Sequence, residues 1–318
     1  MNSSRWLGFA GLWIAMVSAF AQSYPNKPIR LIVPFGPGSG SDIVARQLGN
    51  YLQEHWKQPV FIDNRPGAQG MIGTDALRNS AADGYTLGIS TNSTHAAAPY
   101  LIKNLPYDPI ADFEHIALIG VGGSVALVPN QSPFKTIPEL AAYAKAHSDE
   151  IFFGHADTIS HIPGELLKVS AKLPIEGVPY KASANVVTDL IGGQIQLAFF
   201  NYMTGAAQVA GGRLVPIAVT EAKRNPRWPD IPTVSETYPG YEVSFFVGVS
   251  APRGVAADVI SKIHRAIQDA QRDPKFKEPL EGVGLTFVAQ SPGEYRSFIL
   301  KESERWREHV KAARLIPQ

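Results

Sequence analysis

The chain has 318 residues, with 29 Lys+Arg against 28 Asp+Glu and no cysteine. The length allows two domains, and the even charge leaves no basic patch for nucleic acid and no acidic tail. Without thiols there is no disulfide framework, no cysteine nucleophile and no lipid anchor on an N-terminal cysteine.

Residues 1–21 read as a signal peptide. Arg5 precedes an apolar stretch from Trp6 to about Val17, and Ala19 and Ala21 suit a peptidase site, so cleavage is expected before Gln22. The apolar stretch falls short of the roughly 20 residues a membrane span needs. Cleavage removes only Arg5 among the charged residues and leaves a neutral chain. The expected location is an exported compartment, the bacterial periplasm.

The mature part opens with an apolar run, "IRLIV" (Ile29 to Val33), that predicts a buried strand. "PFGPGSGSD" (Pro34 to Asp42) follows, then a helical pattern that Ser41 or Asp42 is expected to cap. "VFID" from Val60 and "TLGIS" from Thr86 predict strands, with a helix near Gly70 between them. The polar stretch "STNSTHAAAP" (Ser90 to Pro99) comes next, then two strands, "HIALIG" from His115 and "SVALV" from Ser124. A helix near Ile137 leads to "IFFG" from Ile151, the loop "GHADTISH" (Gly154 to His161) and a helix near Ser160. A helix near Ala182 and the strands "IQLAFF", "LVPIAV" and "VSFFVGVSA" complete the middle of the chain. Helices are expected near Val255 and from Pro292 to about Arg314. Ser291 and Glu294 form a capping box on the last one, whose high charge predicts a surface position. Strands alternating with helices in this way predict parallel sheets with helices on both faces, and the number of elements predicts two such sheets.

The glycine-rich turn is the first candidate site. A helix N-terminus carries unpaired N–H groups and partial positive charge, and glycines let a ligand approach the backbone. The turn therefore reads as an anion cradle. A P-loop would place lysine after its last glycine, but Ser41 follows Gly40 here; the dinucleotide fingerprint would need a third glycine at Ser41. No nucleotide cofactor is expected. Thr91, Ser93, Thr94 and Ala96 to Ala98 form a second small, polar loop after a strand, and "GHADTISH" forms a third. Open α/β sheets bind ligands beyond the carboxyl ends of their strands.

His155, Asp157 and His161 raise a metal reading, but their spacing matches no metal motif and no further ligand cluster accompanies them. No G-x-S-x-G elbow is present. An exported hydrolase or lyase using His155 or His161 as base remains an alternative. His55, His115, His264 and His309 read as surface or packing residues.

Taken together, "YPNKPIRLIVPFGPGSGSDIVARQL", "VFIDNRPGAQGMIGTDALRNSAADGYTLGIS", "LPYDPIADFEHIALIG", "VPYKASANVVTDLIGGQIQLAFF" and "IPTVSETYPGYEV" resemble, in order, the periplasmic receptors of tripartite tricarboxylate transporters, the Bug family. The block "NRPGAQGMIG…DGYTL…LPYDP" is the most specific part. The resemblance implies a two-lobed α/β fold of the periplasmic binding protein (Venus-flytrap) type, each lobe a sheet flanked by helices and the two joined by crossing strands. It implies a solute receptor, not an enzyme, with no cofactor. Such a receptor closes on a small organic acid, holds the carboxylate with backbone N–H groups and ordered waters, and delivers it to a membrane permease; a ligand-sensing role beside a membrane signalling protein would use the same site. Lobe one is expected at 22–123 plus 246–318 and lobe two at 124–245, with the hinge near Gly122 and Gly123 and near the return strand "VSFFVGVSA". A monomer is expected, with no nucleic-acid partner.

Carried over residue by residue, the resemblance places ligand contacts at Phe35, Gly38, Ser39, Gly40, Ser41 and Asp42 and at Thr91, Ser93, Thr94 and Ala96. In lobe two it points to His155, Asp157, Thr158 and Ser160, then Tyr180, Lys181 and Asn201. Hydroxyls and N–H groups bind an anion without desolvating an arginine. Lys181 could add charge or be a solvated surface residue. Phe35, Tyr180, Phe200 and Tyr202 could wall a flat ligand or belong to the core. The sequence departs from the family where the second-lobe loop reads "GHADTIS" instead of a glycine- and serine-rich turn, and where Asn201 replaces a common aspartate. An inward Asp157 would repel a second carboxylate and favour an amine, amide or hydroxyl.

Overall fold

The computed structural model describes residues 24–316 apart from 149, 157, 227, 283 and 314, together with the backbone but not the side chains of 158 and 203. The signal-peptide reading, Asp157 and the Thr158 hydroxyl therefore lie outside the described residues.

The chain begins as βαβ units. β1 (Ile29–Val33) leads through the glycine turn into α1 (Gly40–Trp56), then β2 (Val60–Asn64), α2 (Met71–Arg78) and β3 (Thr86–Thr91). β1 lies between β2 and β3, parallel to both. α1 holds the sheet through Val44, Leu48, Tyr51 and Leu52, spaced so that one helix face is apolar. Burying a side chain such as Leu48 is worth about 1.5–3 kcal/mol. After β3 the chain makes a wide π-helical turn (Asn92–Ala97) and a short α3 (Ala98–Leu101).

β4 runs unbroken from Phe113 to Pro129. The sequence predicts two strands here, one ending at Gly120 and one starting at Ser124, with the hinge at Gly122 and Gly123. The three glycines serve close approach instead. A Cβ on Gly122 would lie 2.6 Å from the Phe245 ring, and one on Gly120 would lie 2.7 Å from the Thr286 carbonyl. The backbone stays extended and its neighbours close over it.

The middle of the chain forms a second set: α4 (Ile137–Ala146), β5 (Ile151–His155), α5 (Thr158–Ala171), β6 (Ile175–Pro179), α6 (Ser183–Ile191), β7 (Leu197–Asn201), α7 (Tyr202–Ala210) and β8 (Leu214–Val219). β6 and α7 were not among the predicted elements. β9 (Ser244–Pro252) then returns to the first set, followed by α8 (Ala257–Ala270), α9 (Pro274–Glu281), β10 (Thr286–Phe287) and α10 (Pro292–Ala312).

Two sheets result, sharing β4. The first has the order β2-β1-β3-β9-β4-β10, and the second β8-β4-β7-β5-β6. β4 pairs with β9 up to Gly123 opposite Ser244, and with β7 from Ser124 opposite Asn201. Thr220 fastens this changeover. Its hydroxyl accepts from Ser124 N–H (2.8 Å) and donates to the Val243 carbonyl (2.7 Å), while its backbone pairs with the same two residues. α10 has the expected capping box, but it is no mere surface helix. Tyr295, Ile299 and Trp306 are buried in an apolar cluster that also contains Phe134, Ile162 and Leu166 from the second set.

Candidate ligand-binding site

The glycine turn is built by hydrogen bonds that close on Asp42. Gly38 takes a left-handed conformation (φ +80°). Ser39, not Ser41 or Asp42, caps α1, its hydroxyl accepting from Asp42 N–H (3.2 Å). Asp42 sits in the first turn with its carboxylate folded back: Oδ2 accepts from Gly38 N–H (2.8 Å) and Arg46 Nε (2.9 Å), and Oδ1 from Asn64 Nδ2 (2.9 Å). Burial alone would raise its pKa, but these donors outweigh burial and hold it below the ordinary carboxylate value. Asp42 is therefore a framework anion, not an open ligand contact. Gly40 and Ser41 occupy the first helical positions, where N–H groups have no intrahelical acceptor.

Two residues outside the predicted set shape this turn. Asn64, the last residue of β2, also donates to the Phe35 carbonyl (3.0 Å). Gly70, at φ +95°, leaves room where a Cβ would lie 2.7 Å from Thr94 Cγ2 and 3.3 Å from the Phe35 ring and Pro34. The family block "VFIDNRPGAQG" was the available clue to both. They bring Phe35 and the turn at Thr94 together.

The segment after β3 is tightly buried, and Thr91 and Thr94 form a reciprocal capping box. The Thr94 carbonyl accepts from Tyr107 (3.0 Å). Ala96 is fully buried in the core and offers no side-chain surface, and Ser93 is 8% exposed.

On the second sheet, His155 ends β5 and stacks on His161 with ring centroids 3.8 Å apart. Burial chiefly, then the neighbouring His161, pushes the His155 pKa down to about 4 against the pull of Glu165. Ser160 accepts from Ala156 N–H (3.0 Å), bending the loop into α5. Tyr180 is fixed by donation to Asp189 (2.8 Å), and Lys181 is exposed. Asn201 Oδ1 caps α7 by accepting from Thr204 N–H (3.0 Å), directly opposite Ser124 at the β4 changeover. Phe200 and Tyr202 are core residues. Among the described residues no cluster of three or more His, Cys, Asp and Glu could hold a metal ion.

Two sheet-centred lobes sharing one long strand, with polar loops at strand ends on both, define a solute-binding protein. The description "Tripartite tricarboxylate transporter family receptor" matches residues 44–315, and the chain belongs to that family. It is 33% identical to Protein BugT of Bordetella pertussis over 96% of each chain. It is similar to a structure of R. palustris Rpa4515 with adipate, at 30% identity and TM-score 0.87 over 93% of this chain and all of the other. It is also similar to MatC of Rhodopseudomonas palustris with bound malate, at 27% identity and TM-score 0.81 over 90% of this chain and all of the other. The family consists of receptors, which sets the hydrolase and lyase alternative aside.

Proposed function

We propose that the chain is a periplasmic receptor that captures a small organic acid between its lobes and delivers it to a membrane permease of the tripartite type. The observation that carries the carboxylate reading is the glycine turn. Asp42 and Asn64 hold its shape, and the first N–H groups of α1, at Gly40 and Ser41, serve as anion donors. The adipate and malate of the related structures support the same ligand class.

Lobe one takes in 22–123 and 246–318 and lobe two 124–245, with the hinge where β4 changes partner. The ligand bridges the lobes, and going from mostly open to mostly closed takes about 5.5 kcal/mol of differential binding. Export through a cleaved leader fits the family, and among the described residues no helix is long and apolar enough to cross a membrane.

A thermal-shift screen of the mature chain against mono- and dicarboxylates, their amides, nucleotides and metal ions tests this reading. An acid at a hundred times its dissociation constant should add about 2.7 kcal/mol of stability and be recovered chemically intact. Stabilisation by nucleotides or metals with none by acids would refute it.

A further inference from the structure

β3 ends at Thr91, which lies opposite Val247 of β9. Had the strand gone on in the same register, residue 92 would face Phe246. The chain turns away into the π-helical segment instead, and the fully buried side chain of Asn92 takes that place on the ladder. Its Oδ1 accepts from the Phe246 N–H, and its Nδ2 donates to the Ser244 carbonyl (3.2 Å). A carboxamide carries a donor and an acceptor side by side, as a peptide group does, whereas an ionised aspartate of the same shape can only accept.

The two backbone groups held by Asn92 belong to the stretch where β9 crosses between the sheets. Ser244 lies opposite Gly123, and the Phe245 ring covers Gly122. Thr220 grips the same stretch from the second sheet through the Val243 carbonyl. α10 closes on Asn92 as well. Glu302 Oε2 stands 3.5 Å from its Nδ2, and Arg305 joins Glu302 (3.0 Å) to Glu242 (3.1 Å) and the Ser244 hydroxyl (3.5 Å). A bend of β9 between Ser244 and Phe246 must therefore carry Asn92 with it or leave buried backbone groups unpaired, at a cost of about 1–3 kcal/mol.

We propose that Asn92 is the positioning residue of the hinge: its carboxamide stands in for a rung of β3, fixes the angle at which β9 leaves the first sheet, and ties closing of the lobes to the loop after β3. This rests on the reading of the chain as a receptor that closes on its ligand. Without the clasp the free protein spreads over more lobe arrangements, and the smaller share that is ready to bind lowers the apparent affinity.

The test uses the absence of cysteine from the chain. Spin labels on Asn50→Cys and Lys145→Cys, both exposed and on α1 and α4, report lobe separation by double electron–electron resonance, with and without adipate or malate. Asn92→Ala removes both hydrogen bonds, and Asn92→Asp keeps the shape and the acceptor while losing the donor; circular dichroism checks folding, and the aspartate variant decides if the alanine one does not fold. Both should broaden the distance distribution of the ligand-free protein and weaken binding of the acids by about fivefold, one lost hydrogen bond's worth. A residue that merely stabilised the fold would lower the melting temperature and leave distances and affinity as in the parent. That result, or broadened distances with unchanged affinity, overturns the inference and leaves the receptor reading standing. Failure of every carboxylate in the wider screen would overturn the receptor reading, while the ligand-free distances would still decide whether Asn92 sets the hinge.

Discussion

Asp42 is the residue on which the site's shape depends. It is 2% exposed and spends both carboxylate oxygens on the turn, Asn64 and Arg46. Asp42→Ala should cost about 1–3 kcal/mol, read as a lower unfolding midpoint in urea, and weaken acid binding by releasing Gly38. Its depressed pKa also fixes a sign. The stabilisation is complete above the ordinary aspartate value of about 3.9 and drains as pH falls through the lower folded value. Gly70→Ala should act on the same site from behind, since the new methyl meets Thr94, Phe35 and Pro34 and the backbone is left-handed. Calorimetry should show weaker binding together with lost stability. The turn itself was legible because glycine before a helix has a definite physical meaning. The role of Asp42 was not, because its partner Asn64 lies 22 positions away on another strand.

At the scale of elements, β4 and Thr220 decide how the lobes connect. Thr220→Val keeps the shape but strands the Ser124 N–H and the Val243 carbonyl, both of which use the hydroxyl. Leaving such buried groups unpaired costs about 1–3 kcal/mol. Limited proteolysis of the variant should be faster, with first cuts at the crossing between the lobes; a digestion pattern like that of the parent protein would show that Thr220 is not the clasp. Most strands and long helices were legible from apolar runs and caps. The join of two predicted strands into β4 was not, because a glycine placed for close approach and a glycine placed for a turn look alike until the neighbour, here Phe245, is known. α7 starts on an Asn201 cap that the resemblance had assigned to ligand binding.

For the whole molecule, buried histidines set the acid limit. Burial pushes His95 well below its ordinary value and His115 and His309 down to about 4. Such groups bind more protons unfolded than folded, so stability is full above about pH 6.5 and falls as pH drops towards 4. Glu221 and Glu302, raised chiefly by burial, act with the opposite sign, costing stability as pH rises past the ordinary carboxylate range. Melting curves should decline from neutral towards pH 4, and His115→Gln should flatten that decline. An equally steep decline in the variant would assign it elsewhere.

α10 carries a consequence for protein engineering. Tyr295, Ile299 and Trp306 of α10 share one apolar interior with Phe134, Ile162 and Leu166, which come from the chain between β4 and β6. The lobes are therefore not interchangeable cartridges. A chimera that borrows its second lobe from a relative, cut at the two crossings, inherits a mismatched seam along α10. Transplanting ligand preference between these receptors requires moving the inward face of that helix with the lobe it serves.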